Sequence, residues 1–238
     1  MPSIATPPHP PLILALDTSS ALGSVALARG ETVLAARAFE ADHGHSQRLL
    51  PAIDSVFSQV GLGPRDIDLF AAVVGPGSFT GLRVSLACVR GLAGKKPCFG
   101  ALATDVAAWA ARGRAQGILA VTDLFHGEVF GSAHDEAGEL VSPRESGDLG
   151  AVLEALRTSL RKPALAVGSA AIRHRTEIES AFAEISFLAA DEGFAPHLAG
   201  LAAARSSEST TVPAGDLMPF YLRDPLTRGL LNTQPKSR

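Results

Sequence analysis

Aromatic residues are scarce in this chain of 238 residues, at 5% against 46% hydrophobic residues overall. Its interior must therefore be built mainly from Ala, Val, Leu and Ile. Cysteine occurs twice, as Cys88 and Cys98, with no C-x-x-C pair. That excludes a disulfide framework and a thiolate zinc site, and suits reduced packing residues in a cytoplasmic protein. No run of Lys or Arg is present and the formal net charge is −3, which excludes a chain that holds RNA by itself through a basic stripe. No apolar run reaches the length needed to span a bilayer. Residues 1–11 are proline-rich and have neither the basic start nor the apolar centre of a signal peptide. The expectation is a soluble, cytoplasmic protein without a membrane partner. None of the seven histidines has another four residues away, so the helical zinc pair of H-E-x-x-H is missing and no metal site is expected.

What is present centres on Gly75-Pro76-Gly77-Ser78-Phe79-Thr80-Gly81-Leu82-Arg83. The stretch follows an apolar run at 69–74, read as a buried strand, and opens into a helical run at 82–93. A strand, a glycine-rich turn and a helix N-terminus aim backbone N–H groups at one spot, an arrangement that suits a phosphate or carboxylate. Ser78, Thr80 and Arg83 are placed either to cap the helix or to grip an anion. The spacing is not that of a Walker A loop, where Lys follows the last glycine, nor of G-x-G-x-x-G. A structural turn and an anion site both fit.

The order of elements suggests a duplication. A strand at 12–16 ends in Asp17-Thr18-Ser19-Ser20, and a hairpin at 24–29 and 32–39 follows. Residues 45–60 carry Leu49, Ile53, Val56 and Phe57 at helical spacing, with Pro51 predicting a kink or a late start. In the second half, 117–122 ends in Asp123, 127–133 reads as a strand, Leu140-Val141 as a third, 149–160 as a helix and 164–167 as a strand. An alanine-rich helix is expected at 196–206, and 219–223 as an extended segment packing on the body. "LILALDTSS…GSVAL" and "GILAVTD…GEVFGSA" read as two copies of one β-β-β-α-β-α unit, giving a mixed α/β fold with a cleft between lobes.

Asp17 could hold a metal-bound water or orient a phosphate, or could cap its own turn; Asp123 occupies the matching place in the second half. His45 is expected as a cap or contact at its helix start. Neither Ser46 nor Ser78 has the flanking glycines of G-x-S-x-G, so no catalytic residue is assigned. The run from Leu82 to Leu92 is apolar around its barrel, as in a helix covered on both sides. Gly81, Ser85 and Cys88 would let another helix approach closely, whether from a partner protein or from the second half of this chain.

Taken together, "LILALDTSS", "GHSQRLLP", "VVGPGSFTGLRVSLACVRGLA", "GEVF" and "PFYLR" resemble, in order and spacing, the TsaB (YeaZ) family of bacterial subunits needed to make threonylcarbamoyladenosine in tRNA. The resemblance runs from Leu12 to Arg223. It implies the two-lobed, duplicated, ribonuclease-H-like α/β fold of actin, Hsp70 and sugar kinases. The implied organisation is a flexible lead at 1–11, an N-terminal lobe at 12–103, a C-terminal lobe at 104–223 and a flexible tail at 224–238. It further implies a non-catalytic partner of the transferase TsaD, meeting it through the first two helices by way of His45, Leu49, Ile53, Gly81, Ser85, Cys88 and Leu92. An ATPase, TsaE, would join the pair, tRNA would be met only through the complex, and the free chain could form homodimers. No tightly bound cofactor is expected; ATP or ADP at the complex interface would use Asp17, Thr18, Ser19, Gly75, Gly77, Ser78, Thr80 and Arg83. The family often has Asp-Ala-Arg before Gly-Glu-Val-Tyr, whereas this chain has Asp123-Leu124-Phe125-His126, which removes an arginine from that turn. The alternatives are an M22-type metallo-glycopeptidase and a stand-alone nucleotide-binding module.

Overall fold

The computed structural model describes residues 9–40, 44–124, 127–189, 193–207 and 209–222. The chain opens with β1 (Leu12–Asp17), β2 (Leu22–Arg29) and β3 (Thr32–Glu40), then α1 (His45–Val60), β4 (Leu69–Gly75), α2 (Phe79–Ala93), β5 (Cys98–Leu102) and α3 (Ala103–Ala111). The second half follows with β6 (Gly117–Asp123), β7 (Val129–Asp135), β8 (Glu145–Gly147), α4 (Leu149–Leu156), β9 (Ala164–Val167), α5 (Ser169–Arg173), α6 (Arg175–Ala181), β10 (Ile185–Leu188), α7 (Ala195–Arg205) and β11 (Thr211–Val212).

The duplication is visible in the pairing. β1 runs antiparallel to β2 and parallel to β4; β6 likewise runs antiparallel to β7 and parallel to β9. The first sheet has the order β11-β5-β4-β1-β2-β3 and the second β10-β9-β6-β7-β8. This is the expected two-lobed α/β plan.

Alternation sorts the first sheet into two faces. Leu12, Leu14 and Leu16 of β1, with Val25, Leu27 and Phe70, face Leu49, Ile53, Val56 and Phe57 of α1 and Leu86 and Val89 of α2. Ile13, Ala15, Ala26, Ala28, Ala71 and Val73 form the opposite face and meet α7 through Ala195, Leu198, Ala199 and Ala202. Alanine on both surfaces lets that helix lie close to the sheet. On the second sheet, Leu119, Val121 and Val129 pack with Val152, Leu153 and Ile178, while Ile118, Ala120 and Val167 meet Ala107, Ala108 and Ala111 of α3. Ala103 and Val106 of α3 reach the first lobe's core, so this helix joins the lobes.

Several expectations change. α1 begins at His45 and runs through Pro51 to Val60, so there is no late start. α2 begins at Phe79, earlier than the apolar pattern indicated, because Ser78 caps it by accepting from the Gly81 amide at 3.1 Å. The third strand of the second lobe is β8; Leu140 makes only an isolated bridge to His134. α4 ends at Leu156. A C-terminal lobe of 104–223 is also corrected: α7 packs on β1, β2 and β4, and β11 pairs with β5, so the chain returns to complete the first lobe. Among the described residues, no helix is long and apolar enough to cross a membrane.

Candidate functional site

A cleft of about 490 Å³ lies between the lobes, of a size that can take a small organic ligand. Ser19, Ser20, Ala21, Leu22, Gly77 and Ser78 line it from the first lobe; Asp123, Leu124, Ser169, Ile172 and Arg173 line it from the second. Its polar lining comes from the ends of β1, β4 and β6 and the start of α5, where strands stop and backbone groups need side-chain partners. The Ser169 hydroxyl lies 3.0 Å from Thr122 Oγ1 and accepts from the Asp123 amide at 2.9 Å. Arg173 donates to Asp123 Oδ1 at 3.0 Å, with the His174 ring 4.0 Å from the same oxygen. An arginine thus reaches the end of β6 from α5. Phe125 and His126 lie outside the described residues.

The candidate anion residues divide. Ser19, Gly77 and Ser78 line the cleft; Asp17, Thr18, Gly75, Thr80 and Arg83 do not. Asp17 is buried, and its Oδ1 accepts from the Ser19 amide at 2.9 Å and the Ser19 hydroxyl at 2.7 Å, which is the self-capping turn. Thr18 donates to the Gly81 carbonyl at 2.7 Å, tying β1 to α2. The glycine loop is filled by the chain itself. The Ser78 amide donates to the Ser19 carbonyl at 2.7 Å. A Cβ on Gly77 would lie 2.3 Å from that carbonyl oxygen, and one on Gly75 would lie 2.5 Å from the Phe220 carbonyl oxygen. These glycines admit neighbouring backbone. Arg83 stacks 3.8 Å from the Phe79 ring centre, and its Nε donates to the Tyr221 hydroxyl at 3.2 Å.

The candidate interface residues are likewise re-sorted. Leu49, Ile53, Gly81 and Ser85 are buried within the lobe, Ser85 completely, with its hydroxyl donating to the Leu82 carbonyl at 3.1 Å. They face inward because α2 buries one continuous stripe, Gly81, Leu82, Ser85, Leu86, Val89 and Ala93, rather than its whole circumference. Cys88 and Leu92 are half-buried, and the His45 side chain lies outside what is described. The outward side of α2 carries the exposed Ala87 and Gly91, flanked in a row spaced at three and four residues by Val84 and Cys88, which are half-buried against the lobe's core, and Leu50 is 53% exposed on α1. Of that row, sequence reasoning found only Cys88; once the inward stripe is known, the small residues one position round the helix follow.

Among the described residues, no group of three or more His, Cys, Asp or Glu is placed to hold a metal ion. A sequence model of the family described as TsaD, tRNA N6-adenosine threonylcarbamoyltransferase, matches residues 39–142. The tRNA threonylcarbamoyladenosine biosynthesis protein TsaB of Bacillus subtilis is 28% identical over 216 residues, covering 89% of this chain and 93% of the relative. An uncharacterized Mycobacterium tuberculosis protein, Rv3421c, is 30% identical over 218 residues, covering 90% and 92%. The structure of YeaZ from Pseudomonas aeruginosa superposes with a TM-score of 0.70 at 25% identity, covering 89% of this chain and all of that one (100%). This chain belongs to the TsaB (YeaZ) family. Because the family similarity spans both lobes, the interlobe cleft and the outer row of α2 both lie within the matched region.

Proposed function

We propose that this chain takes part in tRNA threonylcarbamoyladenosine biosynthesis as a non-catalytic subunit that pairs with a TsaD-type transferase, with TsaE joining the pair and tRNA engaged through the complex. The observation that carries the reading is the similarity along nearly the whole chain to a relative named for that pathway. Pairing is supported by the outward side of α2, where the exposed Ala87 and Gly91 are small enough to let a second helix approach, and by the exposed Leu50 on α1. The same face serves homodimers in the absence of the transferase. The test is reconstitution of threonylcarbamoyl transfer on unmodified tRNA from TsaD, TsaE and the activated intermediate, with and without this chain. Product that disappears only when this chain is omitted supports the reading; undiminished product overturns it.

A second reading, ATP or ADP bound by this chain at the complex interface, rests on the interlobe cleft, where Ser19, Ser20, Ser78, Ser169 and Arg173 offer hydrogen-bond groups from both walls. Calorimetric titration of the isolated chain and of the complex with ADP tests it; absence of heat in both rejects it.

A further inference from the structure

Residues 217–222 form a short extended segment that touches three separate parts of the molecule. At its start, Leu217 is buried in the first lobe's core, and its carbonyl accepts from Arg90 of α2 at 2.9 Å. In its middle, the Phe220 amide donates to the Val74 carbonyl of β4 at 2.7 Å, and the absent side chain of Gly75 leaves room for the Phe220 carbonyl. Further along, the Tyr221 hydroxyl accepts from Arg83 of α2, and its ring lies 5.3 Å from that of Phe79. Arg90 and Arg83 are two turns apart on one helix face, about 10.5 Å at 1.5 Å per residue. The four residues from Leu217 to Tyr221 span about 13 Å when extended, so the segment lies alongside α2 and runs against its direction.

The Phe220 ring then crosses to the other lobe. Its centre is 6.1 Å from that of Phe130, tilted by 58°. Phe130 stands on β7 of the second sheet, 2% exposed, on the opposite face of that strand from the Val129 and Ala133 side chains that pack with α4. One residue thus hydrogen-bonds to the central part of the first sheet and packs against the second. Met218, Phe220 and Leu222 are nevertheless at least a third exposed, at 64%, 37% and 37%, so beyond Leu217 burial contributes little to holding the segment. The two arginines and the glycine cradle hold it instead.

We propose that residues 217–222 are a strap that fixes the angle between the lobes: α2 grips it through Arg83 and Arg90, and Phe220 carries that grip to Phe130. The strap adds a connection on the side of α2 to those made by α3 and by Arg205 of α7, which pairs with Glu139 after β7, so whatever moves α2 or loosens the two arginines is felt at the joint. It is a conformational device independent of the pathway reading.

The experiment measures the distance between spin labels on the full chain, one at Ser58→Cys on α1 and one at Ala155→Cys on α4, both exposed positions, in a Cys88→Ala background. Cys98 is buried and its thiol pKa is pushed up to about 11, so it stays unlabelled. In the unaltered strap a single narrow interlobe distance is expected. Phe220→Ala should broaden that distribution about twofold, as a population of additional lobe angles opens, and Arg83→Ala should do the same while leaving the helical circular dichroism unchanged. Tyr221→Phe, which removes one hydroxyl and nothing else, should give an intermediate width and serves if the larger changes perturb folding. Distributions that superimpose on the parent in all folded variants would overturn the strap, leaving these residues as a cover for α2 alone.

Discussion

The carbonyl of Ser19 accepts a hydrogen bond from the amide of Ser78 at 2.7 Å, locking the end of β1 onto the entrance of α2. The intervening residue geometry tolerates no side chain at Gly77, whose added Cβ would fall 2.3 Å from that carbonyl oxygen. Gly77→Ala is therefore expected to cost about 1–3 kcal/mol, read as a lowered midpoint in thermal or urea unfolding. Gly91→Ala, in open space on the outside of α2, should instead raise stability by about 0.5–1 kcal/mol.

Burial separates two neighbours on α2. Ser85→Arg forces a long cation into a fully buried position and should destabilise the chain by roughly 3–5 kcal/mol, with loss of cooperative melting. Ala87→Arg, on the exposed face, should leave the melting midpoint nearly unchanged yet abolish pairing with TsaD in size-exclusion chromatography. Normal pairing of Ala87→Arg would remove this row from the interface.

Nucleotide affinity, if titration detects it, should depend on the second lobe's arginine. Arg173→Ala is expected to weaken ADP binding about tenfold, the loss of about 1.4 kcal/mol, because its guanidinium lines the cleft. Thr80→Ala should have no effect, since that residue does not line the cleft.

Low pH should act through His134. Its ring is 1% exposed, with Nε2 2.8 Å from the Ser132 hydroxyl and Nδ1 3.2 Å from the Gly138 carbonyl. Burial lowers its pKa below 6.5; Asp105 and the Gly138 carbonyl oppose that, while Arg144 and Arg205 reinforce it. The unfolded chain thus takes up a proton that the folded chain resists, so stability is complete above 6.5 and falls as the pH drops toward the folded-state pKa. His134→Gln should cost about 1 kcal/mol at neutral pH and flatten the decline of the melting midpoint below that pH. An unchanged slope would assign the decline to other groups.

Periodicity made β1, the hairpin of β2 and β3, β4 and β9 legible, because alternating or wholly apolar runs bounded by Gly, Asp or Pro leave little choice. α3 escaped notice: in ATDVAAWAA alanine fills every side, so no stripe marks it, and it serves two lobes at once. The face of α2 was misjudged because Gly81 and Ser85 are small enough to suit a partner helix or a close-lying sheet equally, and only the packed fold distinguishes them. The glycine loop fitted a structural turn and an anion cradle alike, since the groups that fill it, Ser19 and Phe220, are remote in sequence. Arg173 could not be linked to Asp123 for the same reason, the two being 50 positions apart.

The return of α7 to the first sheet bears on how the chain is made. Until residues near Ala195 leave the ribosome, Ile13, Ala15, Ala26, Ala28, Ala71 and Val73 have no α7 to cover them, whereas the second sheet already has all its strands through Leu188. Synthesis from the N-terminus therefore finishes the later lobe first and the earlier lobe last. A fragment cut at residue 103 would carry a naked alanine-lined sheet face, and the two halves, though built on one plan, are not separable pieces.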